Sequence, residues 1–478
     1  MSQKLKTPIN FFEGTLGTDD GLYRRVLEAA LMHGGDHADL YFQQRTSQSI
    51  ALEDHEVRRA SLGEDLGVGV RVVHGDATGL AFCESLDEKA LIEAARVASG
   101  IARGGSPRAP RPFEDVALES RYALLRGWEE VSTEERLPLL ESLDTSISAQ
   151  DPRIIKVSVS LRDSANHVMI VDAEGRKAYD YRPMVVCSAS CVVEHEGRRE
   201  ENSTSISGRE GIESFDEARL HEMADRLVAR TLVLLEAERP PPGELPVVLA
   251  AGAAGILLHE AIGHGMEADF NRKGTSIYSD AVGEAIAPAF VSVVDDGTQE
   301  GLRGALNVDD EGYPAQRTVL VEDGILRGYL HDVISARHYG LAPTGNGRRQ
   351  SFRHLPLPRM RSTYMLPGPH AAEEIIRSVK RGIYAQSFTN GQVRIGAGDF
   401  TFYIKNGYLI EDGKLTAPIK EANIIGNGPE VLRDVKMVGD DLLMDQGGWT
   451  CGKDGQSVPV TVGMPTVKLG GVTVGGVG

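Results

Sequence analysis

Apolar and polar positions follow two rhythms along this chain, and the balance between them shifts near its middle. Residues 21–33, GLYRRVLEAALMH, place apolar side chains at helical spacing, whereas HADLYFQQ and SQSIALEDHEV alternate with the period of strands. DLGVGVRVVHGDATGLAF predicts two strands joined near Gly75-Asp76. SLDEKALIEAARVASGIAR predicts a helix with Ser85 as its N-cap. STEERLPLLESLDTSISAQ predicts another, capped by Ser132 or Thr133 and disturbed in its middle by Pro138. Strand alternation returns over residues 154–203, with turn signals at Asp172–Gly175 and His195–Gly197. The order helix, strands, helix, helix, strands hints at a duplicated unit. EARLHEMADRLVARTLVLLEAE then predicts a helix running up to Pro240-Pro241-Pro242-Gly243, which cannot continue it and stiffens a linker. The junction therefore divides residues 1–239 from residues 244–478.

The second half opens on a short strand, LPVVLA (245–250), followed by an apolar helix, and is mostly strands beyond Gly274. TVLVEDGILRGYL and YIKNGYLIEDGKLTAPI predict hairpins turning at Asp323-Gly324, Asn406-Gly407 and Asp412-Gly413. HAAEEIIRSVKRGI (370–383) predicts one interrupting helix, and the Gly-rich tail LGGVTVGGVG an edge strand. The expected class is α+β: an α/β N-terminal domain and a β-rich C-terminal domain with a helix laid against it.

Composition narrows the functional classes. The chain has 478 residues, too many for one compact domain, and its 41% hydrophobic and 25% charged residues are the balance of a globular protein. A net charge of −18 repels phosphate backbones, which speaks against a broad nucleic-acid interface. The basic stretch GNGRRQSFRH (345–354) reads as solvated loop or groove charge. MSQKLKTPINFFEG lacks the apolar run of a signal peptide, and no stretch of about 18 apolar residues predicts a membrane helix. Four cysteines make no disulfide scaffold, so a cytoplasmic protein is expected.

The stretch LLHEAIGHGMEADF (257–270) holds the candidate chemistry: His259, Glu260 and His264. A zinc-binding H-E-x-x-H helix sets its histidines four apart, about 40° from alignment; here they are five apart, about 140° from alignment. One regular helix cannot aim both at one ion. The spacing works only if the helix widens by a π-turn or ends at Gly263. A catalytic zinc takes three protein ligands and keeps one position open, so a third donor is needed from Cys, His, Asp or Glu elsewhere. Cys451, in GGWTCGKDGQSVP, is the sole cysteine of the second half. Cys187 and Cys191 sit about 13 Å apart on one predicted strand, too far to chelate together, and read as core, as does Cys83. Glu260 lies between apolar residues, a poor place for an unpaired carboxylate but a suitable one for a general base beside a metal. The strand-to-helix glycines of AGAAGILL (251–258) lack G-x-G-x-x-G, and the GNG triplets at 345–347 and 426–428 lack a Walker lysine, so these read as turns.

Together, HEAIGHGMEADFNRKGTSIYSD, NVDDEGYPAQRTVLVEDGILRGYL, PTGNGRR, RMRSTYMLPG and TCGKDGQSVPV resemble the TldD/PmbA family of metallopeptidases, and its TldD-type subunit most closely. The resemblance implies that His259, His264 and Cys451 bind Zn2+ and that Glu260 is the catalytic carboxylate. It further implies cleavage of peptides or unfolded polypeptides in the cytoplasm, as in leader removal or protein turnover, and a dimer with a PmbA-type homologous subunit or with itself. A β-rich domain suits an extended substrate held by strand addition. Two alternatives use the same residues: a zinc amidase acting on small amide or formyl substrates, and a non-enzymatic, zinc-stabilised modulator subunit.

Overall fold

The computed structural model describes residues 10–394 and 397–476; the first nine residues of the N-terminal stretch read above and the last two of the tail lie outside it. The chain is α+β. Its first half contains α1 (Asp20–Ala30), β1 (His37–Glu53), β2 (Glu56–His74), β3 (Ala77–Cys83) and α2 (Glu88–Ile101). These are followed by α3 (Thr133–Ser148), β4 (Ile154–Asp172), β5 (Arg176–His195), β6 (Arg198–Gly208) and α4 (Glu217–Leu232). The strands form one sheet in the order β3-β2-β1-β4-β5, with β6 on β5. Two antiparallel meanders, each flanked by two helices, meet where β1 pairs with β4.

Because side chains alternate across a strand, the sheet has two distinct faces. Leu40, Phe42, Ile50 and Leu52 of β1 face the helices, joining one core under α1 and α2 and another under α3 and α4. Cys187 and Cys191 are buried in the second of these, and Cys83 packs against the first. Tyr41, on the opposite face, packs with Val308 and Phe352 of the second half. Two local expectations are corrected. The N-cap of α2 is Asp87, whose carboxylate accepts from the backbone N–H of Lys89 and Ala90, while Ser85 accepts from Asp87. Helix α3 runs through Pro138 unbroken; Pro138 and Glu134 are both exposed, so the carbonyl that loses its helical bond is open to solvent.

The second half contains β7 (Gly243–Leu249), α5 (Gly255–Ala261), β8 (Val293–Asp296), β9 (Arg317–Glu322), β10 (Ser362–Met365), β11 (Arg381–Val393), β12 (Asp399–Glu411), β13 (Lys414–Ile419) and β14 (Ala422–Asn427). It ends with β15 (Thr450–Lys453), β16 (Gln456–Pro459), β17 (Thr461–Met464) and β18 (Val467–Gly476). Strands β11-β7-β18-β14-β12 close into a ring, because β12 also pairs with β11. A second sheet contains β9-β8-β10-β17. Helix α5 buries Ile256, Leu257 and Leu258 in the core the two sheets share.

The glycine-rich tail is thus a central strand rather than an edge, paired to β7 on one side and β14 on the other. The predicted turn at Asn406-Gly407 is absent, since β12 continues through it. Asn406 is instead held by the first half, donating to the Arg230 carbonyl and accepting from Asn202, both at 2.9 Å. The predicted 370–383 helix shrinks to Ala372–Arg377, because β11 begins at Arg381 and is claimed by the ring. The basic stretch is corrected too. Arg348 and Arg349 are buried at the junction of the halves, not solvated. Phe352 inserts against β2 where only glycine fits, since a Cβ at Gly67 would collide with its ring. Arg349 pairs with Asp39 at 3.0 Å, and Arg71 bridges Asp39 at 2.5 Å and Glu311 at 2.7 Å.

Candidate metal centre

The five-residue histidine spacing is accommodated by ending the helix. Helix α5 stops at Ala261, Ile262 leaves helical geometry at φ −129° and ψ −49°, and Gly263–Met266 form a tighter 3-10 turn. The break brings the rings of His259 and His264 to 5.1 Å between centroids, nearly perpendicular. Glycine is needed in the turn, because a Cβ at Gly263 would collide with the Met360 sulfur. Asn271 and Ser276 both donate to the Gly265 carbonyl, at 2.8 and 2.6 Å, and fix the turn from below.

Cys451 arrives from far along the chain. It lies on β15, which among the described residues pairs with β16 alone, directly opposite Val458. Arg359 donates to the Cys451 carbonyl at 2.6 Å and holds the strand in place. Cys451 Sγ lies 3.6 Å from His264 Nε2, and the donor atoms of His259, His264 and Cys451 all fall within 4.8 Å of one another. All three residues are buried. Glu260 is not fully buried: its side chain is 24% exposed, with Oε2 3.9 Å from His264 Nε2. It faces the cluster on one side and solvent on the other.

The residues fit a metal ion. Both ring nitrogens of the fully buried His259 lack a hydrogen-bond partner. A buried orphan of this kind costs about 1–3 kcal/mol unless something else binds it. His264 Nδ1 lies 2.9 Å from Glu267 Oε2, which turns Nε2 toward Cys451. Burial pushes the Cys451 thiol up, but the adjoining His259 and His264 rings outweigh it and hold the thiol well below its usual value. Burial likewise pushes His264 down, and the Glu267 carboxylate and Cys451 sulfur raise it well above an ordinary histidine. A thiolate against two imidazoles is a soft N/S donor set of the kind zinc takes.

Buried charges behind His264 hold its ring in place. Glu267, fully buried, is held near 2: burial pushes it up, and the charges of Lys453 and His264 outweigh that. Lys453 Nζ reaches Glu267 at 3.0 Å, Asp269 at 2.7 Å and the Pro358 carbonyl at 3.1 Å. Sequence reading did not single out Glu267, Asp269, Lys453 or Arg359. Two of them carried a signal: Glu267 follows His264 at i+3, and Lys453 lies two residues from Cys451 on a strand, hence on the same face.

A second group, His37, Asp172 and Glu174, meets the same distance criterion. Its charged groups already stand in ion pairs within the protein, although His37 Nε2 and Asp172 Oδ2 make no aligned hydrogen bond. His37 contacts Asp39 at 3.3 Å and Glu174 at 2.7 Å, Arg108 reaches Glu174 at 2.9 Å, and Arg176 reaches Asp172 at 2.5 Å. Resident guanidinium groups occupy the place a cation would take.

Known proteins resemble the chain over nearly its whole length. Family models of the PmbA/TldA metallopeptidase match in three consecutive stretches: domain 1 over residues 38–102, the central domain over 126–235 and the C-terminal domain over 242–476. A Haemophilus influenzae protein named metalloprotease TldD homolog is 43% identical, over 100% of this chain and 99% of its own. A Saccharolobus solfataricus protein named zinc metalloprotease TldD homolog is 28% identical, over 93% and 97%. Among solved structures, a Thermotoga maritima protein described as a modulator of a DNA gyrase superposes with a TM-score of 0.78 at 20% identity, covering 96% of this chain and 100% of its own. TldE from Thermococcus kodakarensis gives 0.75 at 18% identity, over 95% and 100%. At such identities these two establish a common fold.

Proposed function

The chain belongs to the PmbA/TldD family of metallopeptidases, and from that premise we propose that it is a zinc-dependent peptidase acting on peptides or unfolded polypeptides. The observation that carries this reading is the buried His259 with two unpartnered ring nitrogens, set against His264 and the Cys451 sulfur. These three residues would hold the ion, and three protein donors leave a coordination position for reactants. The chemistry such an ion supplies is Lewis acidity toward water and toward a carbonyl oxygen.

The chain's own residues do the rest. Glu260, partly exposed and directed at the cluster, takes the proton of the attacking water on its carboxylate and passes it to the leaving amide nitrogen. Glu267 fixes the His264 ring through Nδ1, and Lys453 fixes Glu267. The β15–β16 hairpin pairs with no third strand among the described residues, so backbone beside Cys451 is open to an extended substrate. Such recognition suits leader removal or turnover, where sequence varies. A thiolate ligand suits a reducing cytoplasm, and no helix among the described residues is long and apolar enough to cross a membrane. The working form is a dimer with a PmbA-type homologous subunit or with a second copy.

A second reading, a zinc-stabilised modulator subunit without activity, draws support from the description of the Thermotoga relative. Glu260 and the three-donor set weigh against it, because purely structural zinc sites close with a fourth ligand. The test is metal content, light scattering and cleavage of peptides of increasing length, on the chain alone and with a homologous subunit. About one zinc per chain, a dimer and cleavage of long peptides are expected. Turnover confined to small amides or formyl groups would shift the reading to an amidase, and zinc without cleavage in any assembly would shift it to the modulator.

A further inference from the structure

The protein carries a surplus of acid, yet the charged side chains of one cavity are nearly all basic. Arg45, Arg182, Arg209, Arg303, Arg348 and Arg349 surround a space of about 250 Å³ between the β1 face opposite the helices and the second half of the chain. Asp310 is the one carboxylate in its wall. It pairs with Arg182 at 2.5 Å, and Arg349 pairs with Asp39 outside the cavity. Arg45, Arg209, Arg303 and Arg348 are left with no carboxylate at ion-pair distance among the described residues.

Their hydrogen bonds go to neutral acceptors. Arg209 donates to the Pro183 carbonyl at 3.1 Å, and Arg303 to the Trp449 carbonyl at 2.9 Å. Arg348 donates to the carbonyls of Met360 at 2.6 Å and Pro459 at 2.7 Å. Arg209 and Arg348 are 4% and 2% exposed, and Arg209 Nε and two nitrogens of Arg349 have no acceptor. Burial pushes Arg348 down to about 9 and Arg303 to about 10, with neighbouring arginines adding to the effect. Buried charge without a counter-charge is expensive, and a chain with a net charge of −18 has carboxylates to spare for neutralising it. Only Asp310, already paired with Arg182, is placed here, so the geometry awaits an anion from outside.

The cavity and the metal centre share the β15–β16 hairpin. Thr450, Ser457, Val458 and Pro459 of the β15–β16 hairpin form one wall, and Thr450 immediately precedes Cys451, about 3.8 Å away between Cα atoms. We propose that this arginine cavity receives a carboxylate of the peptide substrate, anchoring the chain as it runs along the hairpin to the metal centre. The proposal rests on the peptidase reading above. Guanidinium forks suit a carboxylate by paired N–H donation, and the group comes from the peptide's C-terminus or from an acidic side chain.

The test uses the full-length Glu260→Gln protein, which binds without turnover, titrated with a peptide bearing a free C-terminal carboxylate, with its C-terminal amide, and with the amide carrying an internal glutamate. The free acid is expected to bind at least about tenfold more tightly than the plain amide, the scale of charge-assisted hydrogen bonds. Arg45→Gln and Arg303→Gln, each on that background and checked by thermal melting, should remove most of the difference. Arg45 is exposed at the cavity mouth, so its replacement spares the core. Restored affinity in the internal-glutamate amide assigns the anchor to a side chain and supports the cavity equally. Absence of binding, equal affinity for all three, or a difference that survives both arginine variants overturns the proposal. Cleavage by the unsubstituted protein is measured alongside, and discrimination between peptides without cleavage would sink the peptidase reading while leaving the cavity standing.

Discussion

Two clusters in this protein bring histidine and other metal-binding donors equally close, and they differ in what surrounds them. Around His37, Asp172 and Glu174, every charge meets a protein partner: Arg108, Arg176, Arg71 through Asp39, and His37 itself. Around His259, His264 and Cys451, the supporting cation is one layer out. Lys453 neutralises Glu267 rather than the sulfur, and His259 is left with nothing to bond. Donor distance alone does not make a metal site. A site requires donors with no resident cation beside them, and with their orientation fixed from behind. The first cluster ties two strands together; the second is prepared for a ligand.

The comparison is broken most directly by deletion. Cys451→Ala or His259→Ala should reduce bound zinc from about one per chain to near zero by elemental analysis. His37→Ala should leave zinc content unchanged and instead lower the unfolding free energy by about 3 kcal/mol in urea titrations, because it breaks the buried pairs of His37 with Asp39 and Glu174. Zinc loss in the His37 variant would place the metal in the wrong cluster. Next comes chemistry without structure: Glu260→Gln should keep zinc and melting temperature while peptide cleavage falls by about 10²–10⁴-fold. Near-normal cleavage would remove Glu260 from the mechanism, and loss of zinc would make it a ligand.

Smaller effects sharpen the contrast. Glu267→Gln should weaken zinc about 10–100-fold in chelator competition, the usual worth of a residue that orients a ligand; unchanged affinity would deny it that role. The smallest effect belongs to the saturated cluster and to pH. Burial pushes the Glu174 carboxyl up, yet His37 and Arg108 outweigh it and hold it near 2, against 4.5 ordinarily. A carboxyl lowered in the folded state contributes stability that is present above its unfolded value and lost as pH falls toward its folded one. Between pH 5 and pH 3 the protein should therefore lose about 1–2 kcal/mol more than its Glu174→Gln variant. Parallel pH profiles for the two would show that the His37–Glu174 pair adds nothing to stability.

Much of the centre was legible in the motif. His259, Glu260 and His264 announce themselves, and the five-residue spacing by itself requires the helix to widen or to end at Gly263. The structure takes the second route, at Ile262. Glu267 and Lys453 lay in plain view at i+3 and i+2 from two ligands, but their importance depends on burial, which spacing does not reveal. The basic stretch misled for the same reason. Arg348 and Arg349 look like solvent-exposed residues until the second half of the chain is laid over the β1 face.

What the sequence determined on its own was local: strands from period-two alternation, the turns at Asp172–Gly175, His195–Gly197, Asp323-Gly324 and Asp412-Gly413, and a helix that cannot pass Gly263 with both histidines on one side. These follow from backbone sterics and side-chain periodicity, which act over a few residues. Tertiary structure decided what no such window contains. It made the glycine-rich tail a central strand, because β7 and β14 needed a partner between them. It kept Asn406 inside a strand, because Asn202 and Arg230 claimed its amide. It also delivered Cys451 to His264 across 187 residues of chain, because a free-standing hairpin held by Arg359 could be placed there by packing alone.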